Sequence, residues 1–145
     1  MRMDQKMESA WAVAERLERL ARVPFTGSFS HGLNPAQWSA LRYLANAGRA
    51  ASTVTAFARF HGTTKGTASQ TVSALVNKGH LLRHASPTDR RIVHLEVTES
   101  GRALLKTDPL ERLAAACATL PEEERAALAS TVARLFAELR VRADP

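Results

Sequence analysis

The chain has 145 residues, of which 45% are hydrophobic and 23% are charged, a composition typical of one globular domain. Its single cysteine, Cys117, excludes an internal disulfide and a metal cluster built on several cysteines. No apolar stretch approaches the ~20 residues of a membrane span, and the N-terminus lacks the apolar block of a signal peptide. We therefore expect a cytoplasmic protein with no membrane partner and no cofactor.

Positive charge is concentrated in the middle of the chain. The net charge is +6, and residues 59–95 carry six basic side chains against the single acidic residue Asp89. Such a cluster fits a nucleic-acid-binding surface and fits equally well a solvated basic face. The motifs inside the cluster must decide between the two.

Four helices are predicted in the first half. Apolar residues recur at spacings of three and four over 4–22, and the second helix begins at the capping signature formed by Asn34, Pro35 and Gln37. Two shorter helices follow over 54–61 and 65–78, each ending at a glycine.

The apolar period then changes. Residues 81–85 and 92–97 read as strands joined by the turn SPTDRR, so a β-hairpin directly follows the fourth helix. Thr98 caps a fifth helix, which is interrupted near Pro109. Pro121 opens a last helix, one face of which carries Leu128, Val132, Leu135 and Leu139.

This order of elements predicts a mainly α fold with a small β-hairpin wing. A winged helix-turn-helix core occupies 34–101, and helical dimerisation segments flank it over 4–23 and 102–142, all within one compact domain. In such a core, one helix enters the major groove while the hairpin reaches neighbouring phosphates or the minor groove. The expected function is sequence-specific binding of double-stranded DNA; the alternative is a module for protein–protein contact.

The fourth helix favours DNA binding. Its outward face carries Gly66, Gln70, Ser73 and Asn77 and no acidic residue, which would repel phosphate. Gln70 can pair with an adenine edge, and Lys65 stands in the first turn, where it destabilises a helix but suits an anion. The alternative is a plain surface helix.

From Trp38 to Gly101 the sequence resembles the MarR (multiple antibiotic resistance regulator) family of bacterial transcriptional regulators. The matching pieces are NPAQWSALRYL and FARFHGTTKGTASQTVSALVNKGHLLRHASPTDRRIVHLEVTESGRALL, above all the SPTDRR hairpin before TESG. The resemblance implies that Arg91 enters the minor groove or grips phosphate, that Asp89 orients it, and that Arg90 adds phosphate affinity. The candidate DNA-binding residues are Thr64, Lys65, Gly66, Thr67, Ser69, Gln70, Ser73, Arg83, Thr88, Asp89, Arg90 and Arg91.

Wide apolar stripes on the first, fifth and last helices indicate a homodimer, as does the resemblance; the alternative is that these stripes close a monomeric core. The resemblance also implies repression from a pseudo-palindromic site and release by a small aromatic or phenolic effector. The candidate effector-binding residues are Trp11, Phe25, Phe29, His31, Trp38 and Arg42; aromatic residues at these spacings are more often core residues. Ala68 and Thr71 stand where the family has larger apolar residues, so Phe57 and Phe60 are expected to fill that volume.

Other activities find little support. The sequence has no Ser-His-Asp spacing, no phosphate-binding loop and no carboxylate cluster, so we do not expect an enzyme. The five histidines lack a compact metal-ligand spacing, so no metal site is expected. Cys117 shares an apolar stripe with Leu113 and Leu120, which predicts a buried, unreactive thiol rather than a redox sensor.

Overall fold

The computed structural model describes residues 9–23 and 30–141. The predicted mainly α fold with a hairpin wing is confirmed. Its elements are α1 (Ala10–Arg22), α2 (Pro35–Asn46), α3 (Val54–His61), α4 (Lys65–Asn77), β1 (Leu81–Ala85), β2 (Val93–Val97), α5 (Glu99–Leu105), α6 (Leu110–Ala118) and α7 (Glu122–Val141). In these ranges no helix is both long and apolar enough to cross a membrane.

Side-chain caps set the helix starts. Asn34 and Gln37 form the predicted capping box: the Gln37 amide donates to Asn34 Oδ1 at 2.9 Å, and the Asn34 amide donates to Gln37 Oε1 at 3.0 Å. Threonine hydroxyls cap the next helices in the same way, at Thr53, Thr64 and Thr98. These caps satisfy amides that a helix start leaves without an intrahelical acceptor.

One hydrophobic core joins α2, α3, α4 and the hairpin. Trp38 and Phe57 are its largest fully buried side chains. From α4, the buried residues are Ala68, Val72 and Leu75. Because helical residues three and four apart share a face, burying this side leaves the opposite face of α4 open to solvent, as predicted.

The hairpin is antiparallel, and β2 is bonded on both of its edges. Arg83 pairs with Leu95 and Ala85 with Val93, and on the free edge of β2 the Leu95 amide donates to the Ser52 carbonyl at 2.7 Å. This bond to the α2–α3 connection fixes the base of the wing against the core.

The turn between α4 and β1 lies directly on the start of α5. Thr98 Oγ1 donates to the Gly79 carbonyl at 2.7 Å, and His80 Nδ1 lies 2.6 Å from Ser100 Oγ. A Cβ at Gly101 would lie only 2.6 Å from the His80 carbonyl oxygen, so glycine is required at this approach. We call these three interactions the turn–α5 contact.

The structure corrects three expectations. Phe60 is 56% exposed and packs on Tyr43 with ring centroids 4.7 Å apart; α3 buries Phe57 and Ala58 instead, so Phe60 does not fill the core.

Ile92 lies outside β2 because its amide is bonded to the Asp89 carbonyl in the wing tip. Cys117 is only half-buried, since α6 lies at the periphery of the core. By contrast, the interruption near Pro109 is confirmed: α5 ends at Leu105, and Asp108 Oδ1 accepts from the Leu110 amide at 2.9 Å where α6 begins.

Candidate nucleic-acid interface

The N-terminal turn of α4 is held by its cap. Thr64 Oγ1 accepts from the Thr67 amide at 3.2 Å and donates to Thr67 Oγ1 at 3.0 Å. Lys65, Gly66 and Gln70 are exposed beside it. A Cβ at Gly66 would meet only Thr64 Oγ1, at 4.0 Å, so the backbone here is open to close approach by a large ligand. An amide-rich helix start bearing a lysine suits a phosphate group.

Further along α4, the helix is hydrogen-bonded to the hairpin. Arg83 on β1 donates from Nη2 to Ser73 Oγ at 2.8 Å. Ser69 and Ser73 are half-buried on the flank, whereas Arg83 is exposed. The structure therefore brings Arg83 and Ser73, two of the predicted site residues, into direct contact.

The wing tip is organised by Ser86 and Asp89. Ser86 is buried, and its Oγ lies 3.4 Å from the amides of both Thr88 and Asp89, long distances that mark weak bonds. Asp89 accepts from Arg91 Nε at 3.1 Å, Nη2 at 3.2 Å and the amide at 3.0 Å. The side-chain bonds from Arg91, followed by its backbone bond, hold the pKa of Asp89 below its ordinary value. The predicted Asp89–Arg91 pair is therefore present, with Asp89 ionised at neutral pH.

Sequence reasoning missed Ser86, which shapes the tip while contributing no charge. The Ser-x-Thr-Asp order after a strand is a local signal for a serine-centred turn and could have indicated it. Thr88 to Arg91 lie at the tip of the hairpin, far from the end that follows α4. The twelve DNA-binding candidates therefore form one group on α4 and one group at the tip, and Arg83 on β1 lies between them.

The candidate effector residues do not come together. Trp38 is fully buried in the core, and Trp11 is 76% exposed with its Nε1 bonded to Glu15 at 3.0 Å. His31 is exposed and meets Trp38 edge-on at 6.4 Å, whereas Phe25 and Phe29 fall outside the ranges that the structure describes. Trp38 thus has the core role that the sequence left open.

Arg42 lies in a groove of about 480 Å³ between α2, α3 and α6. The groove is lined by Ser39, Arg42, Tyr43, Asn46, Ala47, Phe60 and Leu110. Arg42 Nε is 2.9 Å from Asp108 Oδ2, an ion pair that joins α2 to the start of α6. Burial lowers the pKa of Arg42, and the nearby Asp108 carboxylate opposes that effect.

His61 on α3 lies next to Ser39, one of the residues that line this groove. Its Nδ1 is 3.1 Å from Ser39 Oγ, and its ring stacks on Phe57. Burial lowers the pKa of His61, and the positive charge of Arg42 lowers it further. The folded protein therefore favours the neutral imidazole.

This shift predicts a pH-dependent stability. The folded-state pKa of His61 lies below the unfolded value of 6.5, so its contribution is fully present above that pH and is lost as the pH falls through the folded value. We expect the unfolding free energy to fall from pH 7.5 to 5.5 less steeply in His61→Gln than in the unsubstituted protein. Urea denaturation at several pH values measures this, and equal slopes would contradict the assignment. His80, whose pKa burial and Lys78 also lower, is common to both proteins.

Comparisons with known proteins agree with this geometry. Residues 31–92 match the model of the MarR family. A probable transcriptional regulator from Pseudomonas aeruginosa is 24% identical, with a TM-score of 0.69 over 88% of this chain and 97% of that one. Streptococcus pneumoniae FabT, solved in complex with DNA, is 22% identical, with a TM-score of 0.65 over 89% and 91%.

A further similar structure is PcaV from Streptomyces coelicolor, solved in complex with its natural ligand. It is 19% identical, with a TM-score of 0.72 over 94% of this chain and 98% of that one. At such identities the structures show a shared fold. No curated protein sequence matches this chain.

Proposed function

We propose that this chain, whose residues 31–92 match the MarR family model, is a member of that family and a transcriptional regulator that binds a pseudo-palindromic DNA site as a homodimer and represses transcription from it. The observation that carries the proposal is the joined surface of α4 and the wing. It presents exposed basic and polar groups, and the one acidic side chain among the twelve candidate residues, Asp89, is bonded to Arg91.

Charge supports DNA as the partner. Lys65, Arg83 and Arg90 are exposed and have no carboxylate partner within the described ranges. Unpaired cations release condensed counterions from DNA when they meet phosphates, which makes binding tight and dependent on salt. Each of the twelve candidate residues is assigned to this interface, with α4 in the major groove and the wing at the adjacent backbone or minor groove.

A second copy of the chain is the proposed partner of the terminal helices. On α7, Leu128, Val132, Leu135 and Leu139 recur at spacings of four, three and four, and each is more than 40% exposed. Trp11 on α1 is 76% exposed. At 1.5 Å per residue the stripe from Leu128 to Leu139 is about 17 Å long, and an exposed apolar stripe of this kind marks an interface. Pairing these helices places two winged cores side by side, as a two-fold symmetric site requires.

The groove beside Arg42 is the proposed effector site. It combines a cationic side chain with the ring surfaces of Tyr43 and Phe60, which suits a small aromatic or phenolic acid. The groove is bounded by both α2 of the core and α6 of the flanking segment, so an occupant there can alter how the two segments sit together.

The test is a titration of the full chain against the DNA immediately upstream of its own gene, at several salt concentrations. We expect a 2:1 complex that is at least about 10³-fold tighter than that with random DNA and that weakens steeply with salt. A phenolic carboxylic acid is then added to the complex, with Arg42→Ala as the matched variant. We expect it to release DNA from the unsubstituted protein only.

Light scattering on the free protein gives its mass. A monomer at micromolar concentration would contradict the homodimer. Weak binding that is indifferent to salt and sequence would exclude the DNA role and leave the winged helix as a protein–protein module. Specific binding that no phenolic acid affects would retain the regulator and remove the effector assignment.

A further inference from the structure

The hydroxyl oxygen of Ser73 accepts a hydrogen bond from Arg83 on β1, and this bond limits which groups the Ser73 hydroxyl can recognise. A serine hydroxyl has two lone pairs and one hydrogen to donate. Arg83 Nη2 donates to Ser73 Oγ at 2.8 Å, so one lone pair is occupied. The Ser73 hydrogen remains available, because no acceptor for it is found in the described part of the chain.

The positive charge of Arg83 makes Ser73 a better hydrogen-bond donor and a poorer acceptor. A guanidinium beside the oxygen polarises the Ser73 O–H bond towards donation and repels an approaching N–H group of a base. Arg83 itself carries five N–H donors and no acceptor, and no carboxylate of the described residues neutralises it. The pair therefore presents donors to whatever approaches the α4 face.

Base edges in the major groove differ in what they offer such a pair. Guanine presents two neighbouring acceptors, N7 and O6, whereas adenine presents one acceptor and one donor, and cytosine presents a donor. Two adjacent donor groups match guanine best. The two groups also stay together, because β1, which carries Arg83, packs against α4, which carries Ser73.

We infer that Ser73 and Arg83 form one reading element that selects a guanine in each half-site. The inference rests on the proposed function and adds to it a base preference and the residues that impose it. It also separates the roles of two similar serines: Ser69 lies on the same flank, yet no arginine bond to it is found among the described residues.

The experiment begins with a DNA site enriched from random duplexes by the full chain. Single base-pair substitutions are then compared for the unsubstituted protein, Ser73→Ala, Arg83→Ala and the double variant. We expect one G·C pair per half-site at which the unsubstituted protein discriminates about tenfold or more. Both single variants should lose this discrimination, and the double variant should lose no more than either, since the two groups act together.

Chemically altered DNA identifies the edge that is read. Replacing the guanine by 7-deazaguanine, which lacks the N7 acceptor, should weaken binding of the unsubstituted protein and leave Ser73→Ala unaffected. Ser73→Thr, which keeps the hydroxyl, should restore the preference. Thr71→Ala removes an α4 hydroxyl that is bonded to the Thr67 carbonyl and lies outside the twelve candidates, so it is the matched control that should retain the preference. Far-UV circular dichroism and the unfolding midpoint show that each variant is folded.

The outcomes distinguish failure of the Ser73–Arg83 inference from failure of the proposed DNA-binding function. Specific binding whose Ser73-dependent position is an A·T pair, or is insensitive to 7-deazaguanine, would overturn the reading element and retain the regulator. Equal binding of selected and random duplexes by the unsubstituted protein would remove both.

Discussion

Replacing Arg90 and Arg91 by alanine is expected to lower DNA affinity about 10- to 100-fold near 0.1 M salt and to reduce the salt slope by about 2. Arg90 is exposed with no acidic partner in the described ranges, and Arg91 is held by Asp89 at the wing tip. Loss of two phosphate contacts would account for both effects. Fluorescence anisotropy with a labelled duplex at four or five salt concentrations measures them.

A matched double variant controls for net charge. Arg49 lies in the α2–α3 connection and Arg102 on α5; both are exposed, and neither is among the twelve candidate DNA-binding residues. Arg49→Ala/Arg102→Ala removes the same charge away from the proposed interface, so its affinity should fall only slightly. Equal losses in the two double variants would show that overall charge, not the wing, governs binding.

Replacing Trp38 by alanine is expected to destabilise the fold by about 3–5 kcal/mol. Trp38 is fully buried among the α2–α4 core residues, so the truncation leaves a large cavity. Trp38→Phe should cost much less, because the ring still fills most of the space. It also removes Nε1, a buried donor with no acceptor among the described residues.

Urea denaturation followed by far-UV circular dichroism measures both variants, at one protein concentration because a dimer's stability depends on it. Arg59→Ala, at an exposed position on α3, is the control and should change stability by less than about 0.5 kcal/mol. A loss below about 1 kcal/mol in Trp38→Ala would show that the core does not depend on this ring.

The helices and strands could be predicted because their signals are local. The capping box of α2 involves two residues three positions apart, and the cap of α4 uses Thr64 and the amide three residues on. The turn residues Pro87 and Asp89 likewise mark the hairpin within six positions. Such signals need no knowledge of distant parts of the chain.

The contacts that assemble these elements have no such local signature. Leu95 is bonded to Ser52, 43 positions away, and Lys78 Nζ donates to the Gly32 carbonyl, 46 positions away, at 2.6 Å. Phe60 follows the apolar pattern of α3 but ends at the rim, because the helix stops at His61 and Tyr43 offers it a ring. Burial at the end of a short helix depends on its neighbours, which the sequence does not position.

The same distinction applies to the interface. Residue types and the wing motif identified Lys65, Gln70 and Arg91 as candidates. The bond between Ser73 and Arg83 depends on how closely β1 lies against α4, so it became visible only in three dimensions.

The turn–α5 contact joins the winged core and the start of α5 into one packed unit. The Gly101 backbone lies so close to the His80 carbonyl that a methyl group does not fit between them, so the turn after α4 packs directly on α5. Asp108, which is bonded to the Leu110 amide and paired with Arg42, joins the start of α6 to α2 of the same core. In the proposed homodimer, an effector bound beside α6 is therefore expected to change the separation of the two winged cores and not the internal structure of each core.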